Sequence, residues 1–372
     1  DLVFDGFTAI ADPLRKEVYD AVRSCRKAGI DVKMLTGDNI VTATAIANDL
    51  SLLDENHIAL EAKDIDALNE KELSDLLPKI RVIARSTPVI KMRVVKALKA
   101  MKCVVAVTGD GINDAPAIKN ADIGLAMGIS GTEVSKEASD VVLLDDSFST
   151  IVKAIQWGRG IYENFQRFIL FQLTVNLSSV VVVLVSLLAG FPTPFTALQL
   201  LWVNLIMDGP PALTLSLEPI RSTLMDNKPT PRNASIVTKE MLARIIFNGL
   251  FISAVFMLQT SQNILGGTPE QNRTILFTLF VMFQLMNAFS CRELTHESIF
   301  RHFFDNKLML IAFVATFLLQ YVISQYGGYV FGTVPLPAEM WLKIIGLSAT
   351  VIIASEFFKV LMTIHQKLKN KK

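Results

Sequence analysis

Cys103 to Pro116 reads CVVAVTGDGINDAP, a stretch whose residue types suit a phosphate and a hard divalent cation. Val104 to Val107 form a short apolar run that reads as a strand buried on both faces. Thr108-Gly109-Asp110-Gly111 follows at its carboxyl end. Glycines let backbone approach a bound group, and a threonine hydroxyl and backbone amides donate to phosphate oxygens. Asp110 and Asp114 set two carboxylates one short turn apart, with Asn113 between them. Mg²⁺ is commonly held this way, by one or two carboxylates with waters and phosphate oxygens. Alone, TGDG also fits an ordinary Gly/Asp turn. A second copy shifts the balance: Val32 to Leu35 is another apolar strand, and Thr36-Gly37-Asp38-Asn39 closes it. Two such strand ends are expected to converge at the carboxyl edge of a parallel sheet, where α/β folds bind ligands.

The elements that would carry these turns alternate along residues 1–148. Arg15 to Ala28 reads as an amphipathic helix ended by Gly29. Strands at 30–35, 80–84, 103–107, 121–126 and 140–144, with helices at 41–50 and 89–101, complete a doubly wound α/β pattern. The acidic stretch from Glu61 to Pro78 reads as a solvated helical excursion. Asp1 to Phe4 is an apolar, strand-like opening without a leader pattern, as though the chain starts inside a domain.

Composition then sets the class. The 372 residues are 51% hydrophobic, too apolar for an ordinary soluble protein, and the formal charge of +1 gives no reason to expect nucleic acid. Cys25, Cys103 and Cys291 lie far apart without metal-ligand spacing and read as reduced thiols. Asp145-Asp146-Ser147 caps a helical pattern that runs from Ser149 to Gly190, with charges only in its first half. That is a stalk turning into a membrane helix. Residues 149–372 are thus expected to be the stalk and an all-α bundle of six transmembrane helices, at about 165–189, 196–216, 243–264, 274–291, 307–326 and 341–362. The turns at 190–195 and 327–340 lack Lys and Arg, whereas 218–242 and 292–307 carry seven between them. Positive loops lie inside, so the α/β part and the C-terminus are expected to be cytoplasmic.

Inside the apolar segments, Gln172, Asn176 and Ser179 share one helix face, a pattern that interhelical hydrogen bonding also explains. Asn204 and Asp208 stand four apart in LLWVNLIMDGPPALTL. A membrane aspartate is expensive and by default marks an ion path. Pro210 and Pro211 prevent a regular helix after it, and a broken helix at membrane depth offers freed carbonyls to a cavity. Asn176, Asn204 and Asp208 with such carbonyls are oxygen ligands suited to Ca²⁺. A structural kink with a neutral Asp208 is the alternative.

TGDGINDAPAIKNADIGLAMG, with DPLRKEV (Asp12 to Val18) and MLTGDN (Met34 to Asn39), closely resembles the phosphorylation domain of P-type ion-pumping ATPases, which has a haloacid-dehalogenase-like, Rossmann-type fold. QLTVN before Leu177 resembles the fifth membrane helix of plasma-membrane calcium pumps, and LLWVNLIMDGPP the sixth helix of secretory-pathway and bacterial ones. The resemblance implies ATP-driven Ca²⁺ export through an aspartyl-phosphate, at the plasma membrane. It implies Asp110 as Mg²⁺ ligand supported by Asn113 and Asp114, Thr36 and Gly37 on the phosphoryl oxygens, and Asp38, Arg85 and Lys91 on nucleotide or phosphate. Sarcoplasmic-reticulum pumps have acidic residues at the positions of Ser179 and Gln284 and a threonine at that of Met207, so the resemblance implies one Ca²⁺ per cycle here.

The family's nucleophilic DKTGT motif does not occur in this sequence, nor do a TGE loop or a KGA-type nucleotide pocket. The phosphorylation domain is therefore expected to be incomplete. The chain is expected to be a C-terminal half whose partner is the N-terminal half of the pump, and to be inactive alone. The rival readings are a pump for Mn²⁺ or another cation, a membrane-anchored dehalogenase-type phosphatase, and a non-enzymatic ion-binding module. Asn204 and Asp208 speak against the phosphatase, and the paired TGD turns against the module.

Overall fold

The structure is a computed structural model that describes residues 5–6, 13–295 and 297–369. The strand-like run at 1–4 and Asp12 of the DPLRKEV motif lie outside the described residues. Two compact units divide the chain, one of Asp1–Gly158 with Arg221–Ala234 and the other of Arg159–Ile220 with Ser235–Lys372.

In the first unit the α/β alternation is realised as α1 (Lys16–Lys27), β1 (Met34–Leu35), α2 (Ile40–Asp49), β2 (Ile58–Glu61), α3 (Ala62–Asp66), α4 (Glu70–Leu76), β3 (Ile80–Ala84), α5 (Pro88–Ala100), β4 (Ala106–Gly109), α6 (Ala115–Asn120), β5 (Ile123–Met127), α7 (Glu133–Ala138) and β6 (Val141–Leu143). Gly29 ends α1 at φ +68°, the left-handed conformation a glycine takes at no steric cost. Every strand pairing is parallel, but the strands form two three-stranded sheets, β1-β3-β2 and β4-β5-β6. This corrects the expectation that the two TGD turns share a sheet edge: β1 and β4 are edge strands of different sheets, and among the described residues no strand runs between them. The acidic excursion is helical as expected, though β2 precedes it as an edge strand that the sequence did not announce.

β3 is the central strand of its sheet and is buried on both faces. Val82 and Ala84 pack with Val22, Ala43 and Ala47, while Ile80 and Ile83 pack with Ile65, Leu73, Ile90 and Val94. The segment 221–234 belongs to this unit too: Lys27 pairs with Asp226 at 2.7 Å, and Arg232 holds Asp122 and the Cys103 carbonyl.

Five of the six apolar segments are single long helices: α8 (Phe148–Leu188), α11 (Lys239–Gln262), α12 (Pro269–Cys291), α13 (Lys307–Tyr326) and α15 (Ala338–Lys369), the last two separated by the short α14 (Gly328–Phe331). The remaining segment, where Pro210 and Pro211 foretold a break, is split into α9 (Ala197–Trp202), a π-helical turn (Val203–Met207) and α10 (Gly209–Leu215). The irregular backbone lies one turn before the prolines, which sit in the first turn of α10 where a missing N–H costs nothing. In the second unit α12 is the central helix. Its residues 274–285 are all buried, against α11, α13 and α15. Val180, Leu184, Ile311, Leu318, Ile353 and Phe357 point outward, as helices facing lipid require. The protein is a multi-pass membrane protein.

Candidate functional sites

The turn after β4 is built around Asp114. The side chain of Asp114 accepts from Lys91 Nζ at 2.6 Å and from the Gly111 amide at 3.3 Å, and the Asp114 amide closes the turn onto the Gly111 carbonyl. Only Gly109 permits this, because a Cβ there would overlap the Asp114 side chain. Lys91 stands in the first turn of α5, which Thr87 caps, so the ion pair joins the helix after β3 to the helix after β4. Both side chains are mostly buried, which strengthens their attraction relative to a surface pair.

Asp110 differs from Asp114. Its carbonyl accepts from the Thr132 amide at 2.8 Å and Ser135 Oγ at 3.1 Å, which fixes the backbone while the residue itself is exposed. The loop donating Thr132 is anchored by Asp146. The Asp146 carboxylate accepts from the Ile129 and Ser130 amides and from Ser130 Oγ. Burial pushes its carboxyl upward, but these donors outweigh it and hold it down at about 2. The sequence marked Asp146 only as part of a cap. Its left-handed backbone, φ +49°, turns the side chain back to the 129–130 loop, while Asp145 and Ser147 serve the start of α8.

The turn after β1 is a separate constellation. Thr36 Oγ1 donates to Asp38 Oδ2 at 2.9 Å, the Arg85 amide donates to the Asp38 carbonyl, and the Ser86 amide to the Thr36 carbonyl. The exchange ties the end of β1 to the end of β3, so Thr36, Gly37, Asp38 and Arg85 do lie together. A Cβ at Gly37 would meet nothing within 4 Å, which leaves open space above the turn. Among the described residues no hydrogen bond joins this turn to Asp110, Asn113 or Asp114. A divalent cation fits Asp110, an exposed carboxylate on a fixed backbone. The Lys91 ammonium lies against Asp114 of the same turn.

In the second unit Asp208 is 3% exposed and follows the π turn, its amide bonded to the Val203 carbonyl. Gln172 of α8 meets it, with Nε2 donating to Asp208 Oδ2 at 3.5 Å. Gln172 Oε1 and Asp208 Oδ1 are buried without a hydrogen-bond partner, as is Gln284 Oε1 on α12. Buried oxygens rarely stay unpaired, and acceptors of this kind are satisfied by a donor group, a water or a cation. Gln284 Nε2 donates to Ser178 Oγ at 3.0 Å, so Ser178 meets the glutamine while Ser179 bonds its own helix at Val175. Asn176 and Asn204 are exposed, and no hydrogen bond joins either to Asp208. Gln172 was visible in the sequence as a neighbour of Asn176 on one face; spacing alone did not reveal which of the two meets Asp208.

Residues 192–361 match the family model of the cation transporting ATPase C-terminus, and residues 3–122 match that of haloacid dehalogenase-like hydrolases. The chain is 42% identical, over 99% of its length, to probable calcium-transporting ATPase 6, plasma membrane-type, of Oryza sativa subsp. japonica, covering 37% of that protein. It is 43% identical to calcium-transporting ATPase 2, plasma membrane-type, of Arabidopsis thaliana, over 91% of this chain and 34% of the relative. It is 40% identical to plasma membrane calcium-transporting ATPase 3 of Homo sapiens, over 92% of this chain and 30% of the relative. The chain thus spans about a third of the length of these relatives.

Proposed function

The chain belongs to the P-type cation-transporting ATPases, and on that premise we propose that it forms the ion-binding and Mg²⁺-binding part of a plasma-membrane Ca²⁺ export pump. The observation that carries this reading is Asp208, a carboxylate buried beside a broken helix with an unpaired oxygen of its own and another on Gln172. Asp208 and Asn204, with Asn176, offer oxygens to one Ca²⁺ per cycle. Calcium takes six to eight, so carbonyls, waters and further chain must complete the shell.

At the other site, Asp110 would hold Mg²⁺ with Asn113 in support, and the ion would supply charge neutralisation for a transferring phosphoryl group. Asp114 keeps the Lys91 ammonium in place, and Lys91 stabilises the charge developing in transfer. Thr36 and Gly37 receive the phosphoryl oxygens, and Asp38 and Arg85 face the nucleotide. The phosphoacceptor aspartate comes from chain beyond these residues. β1 and β4 each have an unpaired edge and end in a TGD turn, so a parallel strand between them would present its carboxylate to both turns. The Lys and Arg bias of the loops at 218–242 and 292–307 supports a cytoplasmic α/β part.

The experiment is phosphorylation by γ-labelled ATP. The full-length protein should take up acid-stable label only with Ca²⁺ and Mg²⁺, and the purified 372-residue chain should take up none. Acid-stable label on the chain alone, or label on the full-length protein that ignores Ca²⁺, overturns the reading.

A further inference from the structure

We propose that Gln172 is a direct Ca²⁺ ligand that trades its hold on Asp208 for a bond to the ion, an assignment that rests on Asp208 lining the ion site. A primary amide carries two donors on one atom and two acceptor positions on the other, in one plane. Rotation by half a turn about its last bond exchanges one for the other. In the structure the donor end faces Asp208, with Gln172 Nε2 3.5 Å from Oδ2. That orientation gives the carboxylate a partner when no cation is there. It also leaves Gln172 Oε1 and Asp208 Oδ1 as buried acceptors without donors. Each unpaired buried polar atom is costly, and two acceptors on adjacent side chains call for a shared donor or cation.

The neighbours do not meet that demand. Lys and Arg are absent from α8 beyond Arg167 and from residues 197–215, so no ammonium or guanidinium of these segments stands beside the pair. Asn287 Nδ2 is also buried without a partner, but it is a donor, which a cation cannot satisfy and which marks no ligand. Gln172 and Asp208 therefore differ from other unpaired groups by being acceptors already linked to each other. A Ca²⁺ between them accepts an oxygen from each, and the amide turns over because Nε2 is repelled by the ion that Oε1 attracts. The ion-free and ion-bound states then each have a defined Gln172 orientation.

The test uses the full-length pump with Gln172→Leu, Gln172→Glu and Asp208→Asn, reading phosphorylation by ATP against Ca²⁺ concentration. Phosphorylation by inorganic phosphate without Ca²⁺ serves as the measure of fold and phosphoryl site. Gln172→Leu should raise the half-saturating Ca²⁺ at least tenfold while phosphorylation by inorganic phosphate stays within twofold. Gln172→Glu keeps two oxygens and should hold the half-saturating Ca²⁺ within threefold of the parent. A Gln172→Leu pump with parental Ca²⁺ dependence overturns the assignment, as does equal loss of both phosphorylation reactions in Leu and Glu variants. Should Asp208→Asn keep parental Ca²⁺ dependence, the ion-site reading itself fails. Should it lose Ca²⁺ activation while Gln172→Leu does not, only the role of Gln172 is refuted.

Discussion

Lys91 Nζ lies 2.6 Å from Asp114 Oδ1 and thereby links two parallel sheets that share no strand. The pair does two things at once. It anchors α6 against α5, and it keeps an ammonium beside the Asp110 turn. Lys91→Met keeps the aliphatic packing and removes the charge. In the full-length pump it should slow phosphoryl transfer by about 10²–10³-fold, the loss typical of one charge-stabilising donor. Ca²⁺ affinity measured without nucleotide should stay at the parental value. A stopped-flow or quenched-flow phosphorylation rate decides it.

Two glycines of the paired TGD motifs separate structural from functional need. Gly109→Ala drives a methyl into the Asp114 side chain and should lower stability by about 1–3 kcal/mol, as overpacking does. Gly37→Ala meets open space, so thermal unfolding should be unchanged. If Gly37 lies against phosphoryl oxygens, that same variant should still lose phosphoenzyme. Paired melting curves and phosphorylation assays separate the two outcomes.

The buried pair of Glu218 and Arg292 gives a third prediction. Arg292 donates to both Glu218 oxygens and to the His302 and Phe303 carbonyls, and Asn306 donates to Glu218 at 2.8 Å. Their side chains are 2% and 5% exposed. Removing one partner strands the other charge, so Glu218→Leu or Arg292→Met should each cost about 3–5 kcal/mol. The double variant should cost less than the two losses added together. Unfolding in detergent of all four proteins measures the coupling, and strict additivity would refute it.

Asp146 predicts a pH dependence. Its carboxyl is held at about 2 in the folded chain, below the ordinary 3.8. A lowered carboxyl contributes stability that is complete above the unfolded value and is lost as pH falls through the folded one. Asp146→Asn should therefore lower the melting temperature at pH 6 and flatten its decline between pH 4 and 2. Parental steepness in that window would show that other carboxylates set the acid limit.

Much of this was legible because the signals were long. Apolar helices of twenty residues, and TGD turns after apolar strands, leave few alternatives in a sequence. What failed was short or relational. β2 is four residues, Ile58–Glu61, leading straight into an acidic helical run, and the period-two signal has no room to appear. The split into two sheets was not legible because strand order is a long-range pairing that local apolar patterns do not encode: β1 and β4 read alike yet are edge strands of different sheets. Gln172 and Asn176 share a face four residues apart, yet only Gln172 reaches Asp208, because the meeting point depends on where α8 passes the π turn. Asp146 read as a cap since three polar residues before a helix look alike until the backbone shows which turns away.

Everything proposed for the second unit rests on Asp208 binding the transported ion. Its most direct test is ⁴⁵Ca²⁺ occlusion per phosphoenzyme in the full-length pump, parent against Asp208→Asn. The parent should occlude close to one Ca²⁺ per phosphoenzyme, and the variant none at the same Ca²⁺ concentration. Parental occlusion by Asp208→Asn, or a ratio near two in the parent, contradicts it.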